Sequence, residues 1–194
     1  MARSLARALG YSWCPVDYLG AMMSRYVPDG AWASPFPVEE GCYDNDVRFA
    51  VLSDVQIIEN YRAKARKTWL GLQAFIDYAM SESRDFILEG FQIEPAFADQ
   101  VIQTYGRAHI RALFLYKSDV DAIVTGLRNG RDPHDWVLCN TKKPETFDKI
   151  AVMINRYSVI VGTEARKFEC AAMLMDGPFE EQVSKAVKFL ARGQ

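Results

Sequence analysis

Short apolar segments alternate with longer amphipathic segments along almost the whole chain, and this alternation constrains the fold more than any other feature. Apolar residues recur at helical spacing in the long segments, whereas the short segments are continuously apolar. Strands that alternate with helices usually run parallel, with the helices packed on both faces of the sheet. The sequence therefore predicts an α/β fold, a doubly wound and mostly parallel sheet with helices on both faces, in a single domain over residues 1–194.

Residues that favour the start or the end of a helix set the predicted boundaries. Gly10 is a good C-terminal signal, Asp54 is suited to cap a long helix, and Pro95 and Pro144 fit the first turn of a helix. We expect strands at residues 11–16, 84–88, 109–116 and 171–175, and helices at residues 2–9, 18–26, 54–81, 95–105, 119–127, 145–169 and 179–190.

Composition argues against several classes of protein. The net charge is −2, with acidic and basic residues interspersed, so we expect no nucleic-acid or anionic-membrane partner. The chain has no apolar run of about 18 residues, the length that a membrane-spanning helix needs. Its four cysteines form no C-x-x-C pair and it has two histidines, so we expect no metal site, reduced thiols and a cytoplasmic location.

One basic cluster and two irregular regions complete the pattern. We interpret Arg62, Lys64, Arg66 and Lys67 as the solvated face of a helix rather than as a binding patch. Residues 27–53, rich in proline, glycine and aromatic residues, are predicted to form an irregular excursion, and residues 128–144 a polar connection. The aromatic residues of the excursion suit either a substrate pocket or a small apolar cluster under a loop.

Several of these segments, in their order, resemble P-loop kinases that act on small molecules, most closely the branch similar to 2-phosphoglycerate kinase and zeta toxin. Residues 5–12 resemble the helix that follows the phosphate-binding loop, and Asp17 matches an acidic residue after the second strand, although the D-D-L-R pattern reads D-Y-L-G here. Residues 86–90, followed by Pro95, resemble the third strand. Residues 114–131 resemble the fourth strand and an arginine-bearing lid.

The resemblance covers nearly the whole chain, but the sequence lacks one element of the family. Met1 aligns directly after the phosphate-binding loop, and the template G-x-x-x-x-G-K-[ST] has no match in the sequence. The resemblance thus implies a P-loop kinase-like fold without its N-terminal strand and phosphate loop, either because the sequence is truncated or because the loop is absent from the protein. The missing strand would lie in the middle of the sheet, so its loss would expose neighbouring strand edges.

Five residues are candidates for the chemistry. Asp17 follows a predicted strand, where open α/β sheets bind ligands, and the resemblance makes it an acceptor-side base or a carboxylate near a metal; the alternative is a helix N-cap. Glu89 would contact a substrate hydroxyl or a Mg²⁺-bound water, or instead pair with an arginine, and Gly90 would permit close approach of a ligand. Arg128 and Arg131 would face the transferred phosphoryl group from the lid, or would be two solvated arginines.

The resemblance implies a kinase that uses ATP and Mg²⁺ to phosphorylate a small hydroxylated metabolite. Asp17, Arg128 and Arg131 would be catalytic, and Glu89 and Gly90 would bind the substrate, with residues 27–53 on the substrate side and residues 128–144 as the lid. No nucleotide-binding residue is assigned, because the phosphate loop would lie upstream.

The alternative function is a non-catalytic binding or interaction protein on a degraded kinase scaffold. The missing loop and the D-Y-L-G pattern both favour this alternative. A small-molecule substrate is the predicted partner, together with a nucleotide if the loop exists upstream. The identity of the acceptor and the oligomeric state, a homo-oligomer included, stay open.

Overall fold

The computed structural model describes residues 1–23, 44–130 and 135–191, which form a mostly helical α/β structure with two small parallel sheets. The strands of this described part are β1 (Ser12–Pro15), β2 (Phe86–Glu89), β3 (Leu113–Tyr116) and β4 (Ala171–Leu174). Its helices are α1 (Ala2–Leu9), α2 (Val16–Met23), α3 (Asn45–Val51), α4 (Asp54–Ser81), α5 (Pro95–Tyr105), α6 (Val120–Arg128), α7 (Trp136–Asn140), α8 (Pro144–Lys167) and α9 (Phe179–Ala191).

The strands pair two by two rather than as one continuous sheet. β1 pairs in parallel with β2, with Ser12 opposite Phe86, and β3 pairs in parallel with β4, with Leu113 opposite Ala171. The parallel direction and the alternation with helices agree with the sequence prediction. The single sheet does not, because no strand of the described part hydrogen-bonds to both pairs.

Helix α5 takes part in two apolar clusters, each of which includes a strand residue. Its residues Phe97 and Val101 belong to an apolar cluster that reaches Leu88 of β2. Its residue Ala98 belongs to a second cluster, which contains Phe114 of β3. Helix α5 therefore contributes to the apolar cluster of each strand pair.

The long helix α8 organises the rest of the core. It packs against β3 and β4 and also against α3, α4, α5 and α6. Ile150 and Met153 of α8 are fully buried with Ile57 of α4, Phe49 of α3 and Val137 of α7. No helix of the described part is long and apolar enough to cross a bilayer.

The boundaries of α1 and α5 agree with the sequence prediction, and local signals explain them. Gly10 ends α1 in the left-handed conformation, at φ 69° and ψ 20°, which a residue without Cβ adopts at low cost. Pro95 occupies the first turn of α5, where its missing N–H costs no helical hydrogen bond. The limits of α4 are also as predicted, but Ser53 is its N-cap and Asp54 is its first residue, so the predicted cap was wrong by one position.

Two regions predicted as irregular contain helices. Helix α3 lies inside the predicted 27–53 excursion, and Asp44 caps it by accepting hydrogen bonds from the backbone N–H groups of Asp46 and Val47. Helix α7 lies inside the predicted 128–144 connection and is capped in the same way by Asp135. Both helices have at most seven residues, which is too short for apolar periodicity to reveal them. Residues 24–43 and 131–134 lie outside the described residues.

We predict that Ser53→Ala lowers the free energy of unfolding by about 1 kcal/mol, a typical cost of losing an N-cap side chain. The Ser53 hydroxyl accepts a hydrogen bond from the Gln56 N–H at 3.3 Å, and the Gln56 side chain accepts one from the Ser53 N–H at 3.0 Å. Urea unfolding measures the change. Ser184→Ala, at an exposed position within α9, is the matched control and is expected to be neutral or slightly stabilising. Equal effects of the two substitutions would contradict the capping role.

Candidate functional site

The carboxyl ends of β1 and β2 bring three of the sequence candidates to one edge. Pro15, the last residue of β1, lies opposite Glu89, the last residue of β2. Helix α2 begins directly after β1, so Asp17 lies in its first turn, and Gly90 directly follows Glu89. Asp17, Glu89 and Gly90 therefore share the sheet edge at which parallel α/β structures bind ligands.

A buried glutamine holds the Asp17 carboxylate. The Gln92 side chain donates a hydrogen bond from Nε2 to Asp17 Oδ1 at 2.6 Å, and Gln92 is only 5% exposed. Asp17 itself is exposed and lies within α2, so the alternative interpretation of Asp17 as an N-cap is wrong. An acidic residue in the first turn still interacts favourably with the positive end of the helix. Asp17 is thus an exposed carboxylate with its Oδ1 fixed by Gln92.

Gly90 is required at this edge by its neighbours. A Cβ atom at position 90 would lie 2.6 Å from Oε1 of Gln92 and 3.0 Å from Cβ of Val16, which is fully buried. The atoms that come close to Gly90 are therefore protein atoms. The absence of a side chain at position 90 leaves room for the Gln92 side chain that binds Asp17. The Oε1 atom of Gln92 is buried without a hydrogen-bond partner among the described residues.

Glu89 differs from Asp17 in that no residue of the described part of the chain holds its side chain in an ion pair or a hydrogen bond. Its side chain is exposed, and no ion pair within residues 1–23, 44–130 and 135–191 involves it. The alternative in which Glu89 pairs with an arginine thus finds no such arginine in this part of the chain. The exposed Glu89 carboxylate lies at the same strand ends as Asp17.

The residues between β2 and α5, numbers 90–94, are fixed by contacts from three other elements; we call them the β2–α5 link. Gln92 reaches Asp17 of α2, as described. The Tyr157 hydroxyl of α8 donates to the carbonyl oxygen of Phe91 at 3.2 Å. Arg62 of α4 donates from Nε to Oε1 of Glu94 at 2.8 Å.

Arg62 also binds a second carboxylate, so it joins three helices. Its Nη2 donates to both carboxylate oxygens of Glu164 in α8, at 2.8 and 3.1 Å. The Arg62 side chain is 28% exposed and that of Glu94 is 5% exposed. The sequence interpretation of Arg62 as part of a solvated face was therefore wrong, although Arg66, one turn later, is exposed as predicted.

Burial raises the pKa values of two groups near the link, Glu94 and Tyr157. Desolvation raises the pKa of Glu94, the nearby charge of Glu164 raises it further, and the Arg62 guanidinium opposes both. Burial also raises the pKa of Tyr157, with a smaller contribution from Glu94, so the phenol stays protonated and remains a donor at neutral pH. Arg62, Glu94 and Glu164 thus form a group in which two carboxylates share one guanidinium.

The remaining sequence candidates lie elsewhere or outside the described part. Arg128 ends α6 and donates from Nη2 to Oδ1 of Asp148 at 2.9 Å and to the carbonyl oxygen of Pro144 at 3.2 Å, both in the first turns of α8. Arg128 is exposed, and its partners Asp148 and Pro144 are not shared with Asp17, whose carboxylate is bound by Gln92. Arg131 lies outside the described residues.

Sequence reasoning missed Gln92, Glu94, Arg62 and Tyr157. Glu94 precedes Pro95, so it could have been identified as the residue that starts α5, and the structure confirms that position. Its partner Arg62 is 32 residues earlier in the chain, and no local pattern indicates that pairing. Tyr157 lies within the long helix α8, and only tertiary packing brings its hydroxyl to the Phe91 carbonyl oxygen.

The groups that the resemblance implies fit this site only in part. Mg²⁺ that carries a phosphorylated ligand needs one or two protein carboxylates, which Asp17 or Glu89 can supply. Within the described ranges, no group of three or more His, Cys, Asp or Glu residues is placed to hold a metal ion. For the phosphates of ATP, the sequence has no phosphate-binding loop to offer, so the residues present do not fit that part of the nucleotide.

Comparison with known proteins does not identify a relative. No protein-family model, curated protein or solved structure matches this chain. The class of protein that the fold defines is therefore an α/β protein with two small parallel sheets, and any narrower assignment is a proposal.

We predict that Arg62→Met lowers the free energy of unfolding by about 2–3 kcal/mol, because it leaves Glu94 buried without its guanidinium. Methionine preserves the apolar length of the side chain, and the partial exposure of Arg62 keeps the loss below that of a fully buried pair. The matched control is Arg66→Met, an exposed position on the same helix, where a change within about 0.5 kcal/mol is expected. Equal losses for the two variants, measured by urea unfolding, would show that the Arg62 contacts contribute little.

We predict that the stability contribution of Glu94 falls as the pH rises above the ordinary glutamate pKa of 4.5. As the pH rises through the interval between the ordinary and the raised pKa, the unfolded chain binds less of the Glu94 proton than the folded chain does, so the free energy of unfolding falls. Unfolding free energies between pH 4.5 and 7 are measured for the wild type and for Glu94→Gln. The wild-type advantage over the variant is expected to shrink with rising pH; a constant or growing advantage would contradict the raised pKa.

Proposed function

We propose that the chain carries the acceptor-binding side of a phosphotransferase that phosphorylates a small hydroxylated metabolite with ATP. The proposal includes the finer fold that the resemblance implies, a doubly wound P-loop kinase-like sheet, and a cytoplasmic location. The observation that carries it is the fixed Asp17 carboxylate at the carboxyl ends of two parallel strands, where Gln92 donates to Oδ1 at 2.6 Å. A ligand site at this edge is the general expectation for open α/β sheets.

In this proposal, Asp17 orients and deprotonates the acceptor hydroxyl. Gln92 binds one carboxylate oxygen, Oδ1, and in this proposal the other oxygen accepts the proton of the acceptor hydroxyl. A carboxylate held in this way can accept the proton of a hydroxyl group as it becomes a nucleophile. Glu89, which is exposed on the same edge, binds a second hydroxyl of the acceptor or a Mg²⁺-bound water.

The proposal gives Arg128 and Arg131 the role of stabilising the transferred phosphoryl group, with Mg²⁺ and ATP as cofactors. Planar guanidinium groups suit phosphate oxygens because they donate two parallel hydrogen bonds. Arg128 would have to leave Asp148 to do so, since its Nη2 now donates to that carboxylate at 2.9 Å. The side chains of Arg128 and Asp148 are 46% and 57% exposed, so breaking their ion pair costs little free energy.

The second candidate is a non-catalytic binding protein built on the same scaffold. Two observations favour it: the sequence contains no phosphate-binding loop, and Arg128 is engaged by Asp148 and by the Pro144 carbonyl oxygen. Under this candidate the Asp17 edge binds a small hydroxylated ligand without transferring a phosphoryl group to it.

We predict that Asp17→Asn lowers the rate of ATP-dependent phosphorylation by a factor of about 10²–10⁴, the usual contribution of a general base. The assay follows ³¹P NMR signals of ATP and product with a panel of small hydroxy acids and sugars. The free energy of unfolding is expected to change little, since Asp17 is exposed. Asp121→Asn, another exposed acidic residue in the first turn of a helix, is the control and is expected to keep full activity.

Two outcomes would contradict parts of this proposal. Full activity of Asp17→Asn would remove Asp17 from the reaction. Absence of ATP turnover with every acceptor, together with acceptor binding that Asp17→Asn weakens, would establish the non-catalytic candidate instead.

A further inference from the structure

A cleft lies at the amino ends of β3 and β4. Ala112 and Cys170, the residues directly before these two strands, both line it. The volume of the cleft is about 640 Å³, and pockets that bind small molecules measure about 300–1,000 Å³. None of its described lining residues belongs to β1, β2 or α2, so the cleft is a different place from the Asp17 edge.

Much of the lining of this cleft is apolar and withdrawn from solvent. Ile102 of α5 and Cys170 are buried. Ile110, Ala112 and Ala171, which also line the cleft, are half-buried. An apolar group that enters the cleft therefore exchanges water for apolar protein surface, which is favourable.

Helix α9 adds an aromatic side chain, Phe189, which is 40% exposed. Arg111, another residue of the lining, donates from Nη1 to the carbonyl oxygen of Leu190 at 2.9 Å. Because Leu190 directly follows Phe189, this hydrogen bond fixes the end of α9 beside the start of β3. The exposed ring is therefore held at the cleft.

The charged residues of the lining are mostly cationic. Arg107, Arg111 and Arg166 line the cleft and are exposed, and Glu169 is the one carboxylate among the lining residues that the structure describes. Arg107 Nη2 lies 4.0 Å from Glu169 Oε2, and the Glu169 side chain is 88% exposed. An ion pair this long and this exposed is weak, so positive charge predominates in the cleft.

Two of the arginines keep hydrogen-bond donors for a ligand. Arg107 donates from Nη1 to the carbonyl oxygen of Glu169 at 3.2 Å, and Arg166 donates from Nη2 to the Thr163 hydroxyl at 3.3 Å. Both acceptors are neutral oxygens. A guanidinium group has five N–H donors, so these bonds hold the two side chains and leave other donors for an anion.

The charge of Arg107 also acts on the buried part of the cleft. Burial raises the pKa of the Cys170 thiol, the carboxylate of Asp99 raises it further, and Arg107 opposes both. The thiol therefore stays protonated at neutral pH. A cationic group and a buried apolar surface thus lie within electrostatic reach of one another.

We propose that this cleft binds a small organic anion that carries an apolar group, with a carboxylate or phosphate head on an alkyl or aryl body. Arg107 and Arg166 bind the head, since a planar guanidinium matches the oxygens of either anion. The body packs against the buried lining around Ile102 and Cys170. Apolar walls with a few charged groups are the usual composition of small-molecule sites. This site does not depend on the proposed phosphotransfer.

The test titrates the full chain with octyl phosphate and with octanoate, two probes that distinguish the two heads. Inorganic phosphate and octanol are the controls for the head alone and the body alone. Amide shifts in ¹H–¹⁵N NMR spectra report binding. We predict that at least one amphipathic probe binds with a Kd about tenfold or more below those of both controls, and that it shifts the amides of Ile110, Ala112 and Cys170. Equal affinities for the probes and the controls, or shifts elsewhere only, would overturn the site.

We predict that Arg166→Gln raises the Kd of the tighter probe about tenfold, because it removes a charged donor to the head. Its one hydrogen bond within the described ranges is to Thr163 of its own helix, so the fold is expected to be retained. Lys167→Gln is the matched control: it removes the same charge from the next residue, which is exposed and is not among the described lining residues, and no change in Kd is expected. Equal weakening by both variants would show attraction to surface charge in general and overturn the site.

The apolar contribution has its own matched pair on α9. Phe189→Ala is predicted to weaken binding of octyl phosphate or octanoate and to leave inorganic phosphate unaffected. Phe179→Ala removes another exposed phenylalanine, at the start of the same helix, and is expected to change neither. Equal effects of the two substitutions would contradict a role of the cleft in holding the apolar body.

Two further outcomes would overturn the small-molecule site. Binding to phosphatidylserine vesicles that Arg166→Gln weakens, without binding of either soluble probe, would assign these residues to a membrane surface. About tenfold tighter binding by a chain extended with Gly-Ser-Gly-Ser after Gln194 would show that the Gln194 carboxylate competes for the cleft. None of these measurements uses ATP, so failure here is distinguishable from failure of the phosphotransfer proposal.

Discussion

The Arg62 guanidinium is the contact on which the arrangement around the candidate site depends. It lies between a carboxylate at the start of α5 and a carboxylate in α8, at 2.8 Å from each. Because α5 also contributes apolar residues to the clusters of both strand pairs, fixing its first turn helps to position the helix relative to them. A buried carboxylate would be costly in this place without its counter-ion, so Glu94 and Arg62 require one another.

The Arg62–Glu94 contact and the Asp17–Gln92 contact both involve the β2–α5 link. Residues 90–94 alternate between partners: Gln92 binds Asp17, the Phe91 carbonyl oxygen accepts from Tyr157, and Glu94 binds Arg62. These contacts come from α2, α8 and α4, so four helices, α5 included, meet at a link of five residues. A carboxylate that must orient a ligand needs hydrogen bonds from neighbouring residues, because its own side chain can otherwise rotate away from the required position. The link is thus both a structural junction and the support of the Asp17 carboxylate.

Local sequence signals predicted much of the fold, and long-range pairing accounts for what they missed. Gly10, Pro95 and the apolar spacing of the long segments placed α1, α5 and α4 correctly, because helix ends depend on nearby residues. The short helices α3 and α7 were not predicted, since segments of seven or fewer residues show no clear helical periodicity of apolar residues. Strand pairing was predicted as parallel but not as two pairs, because the number of neighbours of a strand is a property of the whole chain.

The sequence predicted the residues at the strand ends of the candidate site, but not the residues that hold them in place. Asp17, Glu89 and Gly90 were found because each follows a predicted strand, and the ends of parallel strands meet at one edge. Gln92 and Arg62 could not be found in the same way, since their partners are 75 and 32 residues away. The roles of all these residues in phosphotransfer remain predictions.

The central claim, that Arg62 and Glu94 hold the junction together as a pair, is tested most directly by a double-mutant cycle. Unfolding free energies are measured for the wild type, Arg62→Met, Glu94→Gln and the double variant. The account predicts a coupling energy of about 2 kcal/mol, with the double variant much more stable than the sum of the single losses implies. Additive losses, within about 0.5 kcal/mol, would contradict it and would show that α5 is positioned by apolar packing alone.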